Sequence, residues 1–257
     1  MWDIRGRTAA WGALILALAA VLAIGSWEIG AKASSIAKIT FYTGEVKTQP
    51  PQKDSWKKAV MEQPLSNGEK VRSENQSRAE IAFADGSIIR IDANSTLDIV
   101  DLKKDKSGQQ VEAKVWSGKV WANVNKMSKK SKFELESPTA VAAVRGTVYR
   151  MAVLPDRTTK IAVYSGAVEV KPHPDFFMEQ KKKAGGREGE IEGPTEIAGP
   201  TEVTLEQWVQ IVKIHQEITV NPDGTYGIVQ FNPQLDAQDD WVKWNQERDR
   251  QVLRRTQ

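Results

Sequence analysis

After residue 35 the chain is written in short alternations of apolar and polar positions. They occur in Ala79-Glu80-Ile81-Ala82-Phe83, in Ile89-Arg90-Ile91, over 115–124, over 148–153 and over 163–170. A period of two in runs this short, separated by Gly, Asn, Asp and Ser, predicts β-strands rather than helices. The turn residues have specific uses. Asp85-Gly86 and Asn221-Pro222-Asp223-Gly224 supply the positive φ that tight hairpins need, and Asn67-Gly68 leads into a strand over 70–73. Gly44-Glu45-Val46, Gly118-Lys119-Val120 and Gly166-Ala167-Val168 each open a strand after a glycine. Each glycine suits a backbone turning into a new rung, although three tripeptides do not establish a repeat. The pattern alone predicts an all-β domain, for which a β-sandwich is one architecture.

Both ends depart from this pattern. Ala9 to Ile24 carries no charge, and with the extension to Trp27 a helix would run roughly 28 Å, near the thickness of a bilayer core. Arg5 and Arg7 precede it, which predicts a cytoplasmic N-terminus and an exported remainder. Residues 1–33 are thus read as a short stub and a transmembrane signal-anchor. The alternative is signal cleavage at Ala31-Lys32-Ala33, before Ser34, giving a secreted or periplasmic chain. The run is long for a signal peptide, which favours the anchor. Residues 171–202 read as a Lys/Pro/Gly-rich loop, with Glu190-Ile191-Glu192-Gly193-Pro194-Thr195 echoed six residues later. Residues 203–257 carry a predicted hairpin and then a helix. Asp236 is its expected cap, acids lie early and arginines late, in keeping with the helix dipole. Trp241, Trp244 and Arg248 share one face of that helix. That face has two readings: the tryptophans pin the helix to the β domain, or the three residues form a partner-binding face.

Composition narrows the chemistry. The 257 residues carry a formal net charge of +3, 9 Trp, 2 His and no Cys. Disulfides, thiolate metal sites and a cysteine nucleophile are excluded, and two histidines leave little material for acid–base chemistry. The charge is too balanced for a dedicated nucleic-acid binder. No nucleophile elbow, phosphate-binding loop, His-Glu-x-x-His or dinucleotide fingerprint is present. The expectation is a non-enzymatic chain without cofactor or metal. Lysines such as Lys103, Lys114, Lys126 and Lys132 interleave with Trp116 and Trp121, which keeps a polysaccharide-binding module open as an alternative, with an envelope hydrolase behind it.

The stretch Ser137-Pro138-Thr139-Ala140-Val141-Ala142-Ala143-Val144-Arg145-Gly146-Thr147-Val148-Tyr149, followed by Ile161 to Val170, resembles the signature of the FecR domain family. Pro64 to Ser73 and Ala84-Asp85-Gly86-Ser87 resemble its earlier strands and its turn, so the resemblance spans residues 36–170. Glu69 and Ser73 stand where many members have Asp and Thr. The resemblance implies short stacked strands in a solenoid-like or rolled β arrangement, and a module that binds or transmits signals outside the cytoplasm. The expected partner is an envelope protein or cell-wall polymer. About eight residues precede the apolar run, so direct sigma-factor contact is not expected. Asp85, Gly86, Arg145, Gly146, Thr147 and Gly166 carry the motif and are read as structural, with Arg145 also a ligand candidate.

Overall fold

The computed structural model describes residues 35–174 and 209–255, apart from 107, 127 and 129. Residues 1–33, expected to be a membrane anchor, and most of the stretch 171–202, expected to be a loop, lie outside the described residues. Among the described residues, no helix is long and apolar enough to cross a membrane. The described elements all belong to one unit, Ser35–Gln257.

Seventeen strands form one hydrogen-bonded network, and it folds into two layers. The first layer runs, in spatial order, β4 (Pro64–Leu65), β1 (Ala37–Thr43), β6 (Arg78–Phe83), β7 (Ile88–Ile91), the second half of β9 (Gln109–Asn123), β12 (Val148–Val153), β13 (Thr159–Ser165), β16 (Gln216–Val220) and β17 (Tyr226–Gln230). The second runs β3 (Lys57–Lys58), β2 (Val46–Gln49), β5 (Lys70–Ser73), β8 (Thr96–Lys104), the first half of β9, β10 (Lys132–Glu136), β11 (Ala140–Val144), β14 (Ala167–Pro172) and β15 (Gln210–Lys213). The inner faces share one core, and Phe83 of the first layer meets Phe133 of the second edge to face, centroids 5.5 Å apart.

Strand β9 shows how the sequence produces this. Val111, Ala113 and Val115 are fully buried at odd positions, then Val120 and Ala122 at even ones. The parity of inward residues changes because the chain bends at Gly118, at φ +86°. A Cβ there would lie 2.6 Å from the Ser95 Cα, so only glycine fits. Ser95 lines this corner: its Oγ accepts the Lys119 N–H at 3.0 Å.

A bend at a positive-φ residue recurs at seven passages between the layers: Gly44, Gln76 and Asn94 beside Gly118, then Gly146, Gly166 and His215. These form two rows on opposite edges. Ile91 pairs with Val120 and Thr43 with Arg78, which stacks the first four bends together. Val148 pairs with both Asn123 and Ser165, which places the remaining bends at the other end of the strands. The side changes after β9, where β10 lies parallel to it. The three glycine tripeptides of the sequence therefore mark bends between layers.

What forms is one large mixed sheet folded into two layers, in which every described pairing except β9–β10 is antiparallel. The strands after 209 extend both layers of the same unit, since β15 pairs with β14 and β16 with β13. Two helices close the described chain: α1 (Pro233–Asp236) and α2 (Asp240–Arg255). Asp236 does not cap the long helix. Pro233 starts a separate turn capped by Asn232, and Asp239 caps α2, its Oδ1 accepting the N–H groups of Trp241 and Val242 at 2.8 and 3.2 Å.

Candidate interaction surface

The two outer faces differ. On the first layer, register aligns Phe41, Glu80, Arg90, Trp121, Arg150, Ala162 and Glu217 in one cross-strand row. Helix α2 lies over it, with Trp241, Val242 and Asn245 buried at the contact. Arg90 has no exposed surface. Its Nε donates to Glu80 Oε2 and its Nη1 to Asp249 Oδ1, both at 2.7 Å. Asp249 accepts from Trp121 Nε1 through its other oxygen at 2.9 Å, and Arg248 donates to Glu80 at 3.1 Å. Burial alone would raise the Glu80 carboxyl. The hydrogen bonds and charges of Arg248 and Arg90 outweigh it and hold the group below the usual carboxylate range. Above this network Trp241 and Trp244 stack at 5.3 Å, and Arg78 lies 5.3 and 5.1 Å from their ring centres. Arg150 binds Asp236 at 3.1 Å and Glu217 at 3.3 Å, tying α1 down as well. Trp241, Trp244 and Arg248 therefore spend these contacts inside the chain, as the pinning reading of the helix requires.

On the second layer no described element covers the outer face. Its residues fall in charge stripes set by register. Asp101, Glu112, Glu134, Ala143, Glu169 and Ile211 make one cross-strand row. Lys132, Arg145, Ala167 and Lys213 belong to the next, and Lys132 pairs with Glu134 at 2.7 Å. The small side chains of Ala143 and Ala167 leave a surface hollow of about 400 Å³, rimmed by Lys132, Arg145, Glu169 and Ile211. Ile211 is 50% exposed. Beside it, Glu136 is held below the usual range by its His173 contact, and Glu112 is pushed up by burial and by Glu136. Trp116 also faces outward, 46% exposed, with the Lys114 ammonium 4.5 Å from its ring centre. Among the described residues no group of three His, Cys, Asp or Glu side chains is gathered as metal ligands would be.

The motif residues assemble at one edge. Asp85 closes the β6–β7 hairpin by accepting the Ser87 N–H at 3.0 Å, with Gly86 at φ +83°. Asn125 donates to the Asp85 carbonyl at 2.9 Å, and its neighbour Val124 exchanges two main-chain hydrogen bonds with Thr147. Thr147 Oγ1 then donates to the Ala167 carbonyl at 2.9 Å, beside Gly166. Ser137 Oγ accepts the Ala140 N–H at 2.9 Å and closes the β10–β11 hairpin. Of the six motif residues only Arg145 reaches the hollow. Sequence reading missed Glu169 and Ile211 there, and Glu80, Arg90 and Asp249 under the helix. No local signal marks the hollow, because its residues come together only through the register of β11, β14 and β15.

Residues 69–169 match the family model described as FecR protein. The chain carries a FecR domain. Family members are associated with the cell envelope. The FecR match begins beside β5 and ends in β14, so it includes Arg145, Glu169 and both alanines of the hollow, while α2 lies beyond it. No curated protein matches the chain. Two crystal structures titled as a "putative anti-sigma factor" from Parabacteroides distasonis are similar at 13% and 15% identity, each with a TM-score of 0.44. The matches cover 63% and 65% of this chain and 60% and 61% of those chains, so the chain spans about three fifths of their length.

Proposed function

We propose that this is a non-enzymatic, envelope-associated binding protein whose FecR domain engages a protein partner on the extracytoplasmic side, in signalling or scaffolding. The observation that carries the proposal is the contrast between the two layers. One outer face is sealed by the chain's own helix through a buried ionic network, and the other, which no described element covers, presents a hollow with both charges and an apolar rim. A hollow of this kind suits a partner's protruding side chain, with Arg145, Lys132 and Glu169 fixing its polar surroundings. The polysaccharide reading draws less support, because the ring of Trp116 already carries Lys114.

The test is to fill the hollow without touching the core. Ala167 is exposed, so Ala167→Trp leaves the inner face intact. In cells, the variant is expected to lose the chemically crosslinked adduct formed by the wild-type chain while keeping its protease resistance. An unchanged adduct contradicts the site. Retention of the wild-type chain on isolated cell wall, abolished by Trp116→Ala, would instead favour the polysaccharide reading.

A further inference from the structure

The two ends of the strands differ in charge. Strand β9 runs away from the Gly118 bend in both layers, so Gln109 and Asn123 emerge together at the end that holds the bends at Gly146 and Gly166. Close contacts set the turns of that end side by side. The Ala84 N–H donates to the Ile36 carbonyl at 2.8 Å, so the chain enters the sheet beside the β6–β7 hairpin. The Asn125 N–H donates to Ser87 Oγ at 3.1 Å, which brings Lys126 to the same hairpin. The Gln109 N–H donates to Ser131 Oγ at 3.1 Å, and a Cβ on Gly108 would lie 3.1 Å from the Lys130 carbonyl carbon. The β8–β9 turn is thereby joined to the loop over 126–131.

This end gathers Lys104, Lys106, Lys126 and Lys130, all exposed, from two neighbouring turns. No described carboxylate forms a salt bridge with any of the four. The acids here serve their own hairpins: Asp85 accepts the Ser87 N–H at 3.0 Å and Asp105 the Gly108 N–H at 3.1 Å. At the opposite end the cations are matched. Lys47 pairs with Glu45 at 2.8 Å and Glu74 at 3.1 Å, and Lys119 lies 3.7 Å from Asp239 and 4.0 Å from Asp92.

We propose that the lysine end rests on an anionic membrane surface, with Lys104, Lys106, Lys126 and Lys130 meeting lipid phosphate groups. A lysine beside an anionic leaflet strengthens partitioning about fivefold, and the effect is confined to roughly a Debye length. Residue 36 enters at this same end, so the expected anchor over 1–33 and the four lysines act on one surface. Two such signals hold a protein where one alone is readily reversible.

The chain has no cysteine, so single labels report orientation. In the full chain, Ser128→Cys carries a fluorophore at the lysine end. Leu154→Cys carries one at the opposite end, next to Val153, which pairs with Gly118. Each is mixed with vesicles of phosphatidylcholine, alone or with phosphatidylglycerol, containing a trace of nitroxide-headgroup lipid as quencher. The label at 128 is expected to be quenched more on the anionic vesicles, and the increment to vanish in about 1 M salt, where the Debye length is about 3 Å. The label at 154 should stay unquenched. Lys104→Glu, Lys106→Glu, Lys126→Glu and Lys130→Glu together should remove the increment while the chain melts as the wild type does. Glycerol phosphate at matched ionic strength should not remove it, which separates a membrane surface from a site for one free phosphate. Equal quenching at 128 on the two compositions, an increment that survives the charge reversal or yields to glycerol phosphate, or stronger quenching at 154 overturns the proposal. A chain that floats with anionic vesicles but not with neutral ones refutes the anchor expectation and keeps the proposal; one that floats with neither overturns both.

Discussion

Arg90 sits in the middle of an alternating strand, where an arginine normally faces water. Here it is sealed between a sheet and a helix and held by two carboxylates. Taking one charge from such a network is more damaging than never having it, because the remaining charge stays buried. Glu80→Gln is therefore expected to cost about 2 kcal/mol at neutral pH, in the range for hydrogen bonds to charged groups. The pH dependence has a definite sign. The folded pKa of Glu80 lies below the reference carboxylate value of 4.5, so its contribution is complete above that value and is lost as pH falls through the folded pKa. The stability gap between wild type and Glu80→Gln should be widest near neutrality and close in acid, read from thermal melts across pH. Tyr149 predicts the opposite direction of effect. Its hydroxyl is wholly buried without a hydrogen-bond partner among the described residues, and burial drives its pKa far up. Tyr149→Phe is expected to leave the fold unchanged and to raise its stability by about 1 kcal/mol, the desolvation cost of an unmet hydroxyl.

At the scale of elements, the bends between layers decide the fold, and not all depend equally on glycine. An L-residue in the left-handed region costs roughly 1–2 kcal/mol in itself. At Gly118 a Cβ also meets the Ser95 backbone, whereas at Gly146 the nearest atom is the flexible Lys126 Cγ at 2.7 Å. Gly118→Ala should therefore lower the denaturation midpoint clearly more than Gly146→Ala; equal losses would mean that the conformation alone matters. These bends also separate what sequence reveals from what it hides. The alternation of strands and the glycine tripeptides were legible, because side-chain period and positive φ leave direct marks on sequence. The bend at Gln76 was not, since glutamine does not signal a left-handed backbone. The two-tryptophan face of α2 was legible as a docking face. Its seat was not, because Glu80 and Arg90 read locally as solvent-facing positions and only the helix from 159 residues further along the chain, through Asp249, buries them.

At the scale of the whole molecule, a helix covers one outer face and no described element covers the other. The hollow could not be seen in sequence, since Ala143, Ala167 and Ile211 become neighbours only through the register of β11, β14 and β15. Arg145 was singled out as a motif residue, yet its place at a rim opposite Glu169 and Ile211 depends on the same register. The face that no described element covers, and not the helix-covered one, is thus the face proposed to meet the partner. A photo-crosslinking residue placed in the full chain in cells, at Ile211 or Lys213 beside the hollow and at the exposed Lys243 on α2, distinguishes the two faces. One discrete adduct of the same mass is expected from both hollow positions and none from Lys243. Adducts from Lys243 with none from Ile211 and Lys213 would place the partner on the helix-covered face and contradict the assignment.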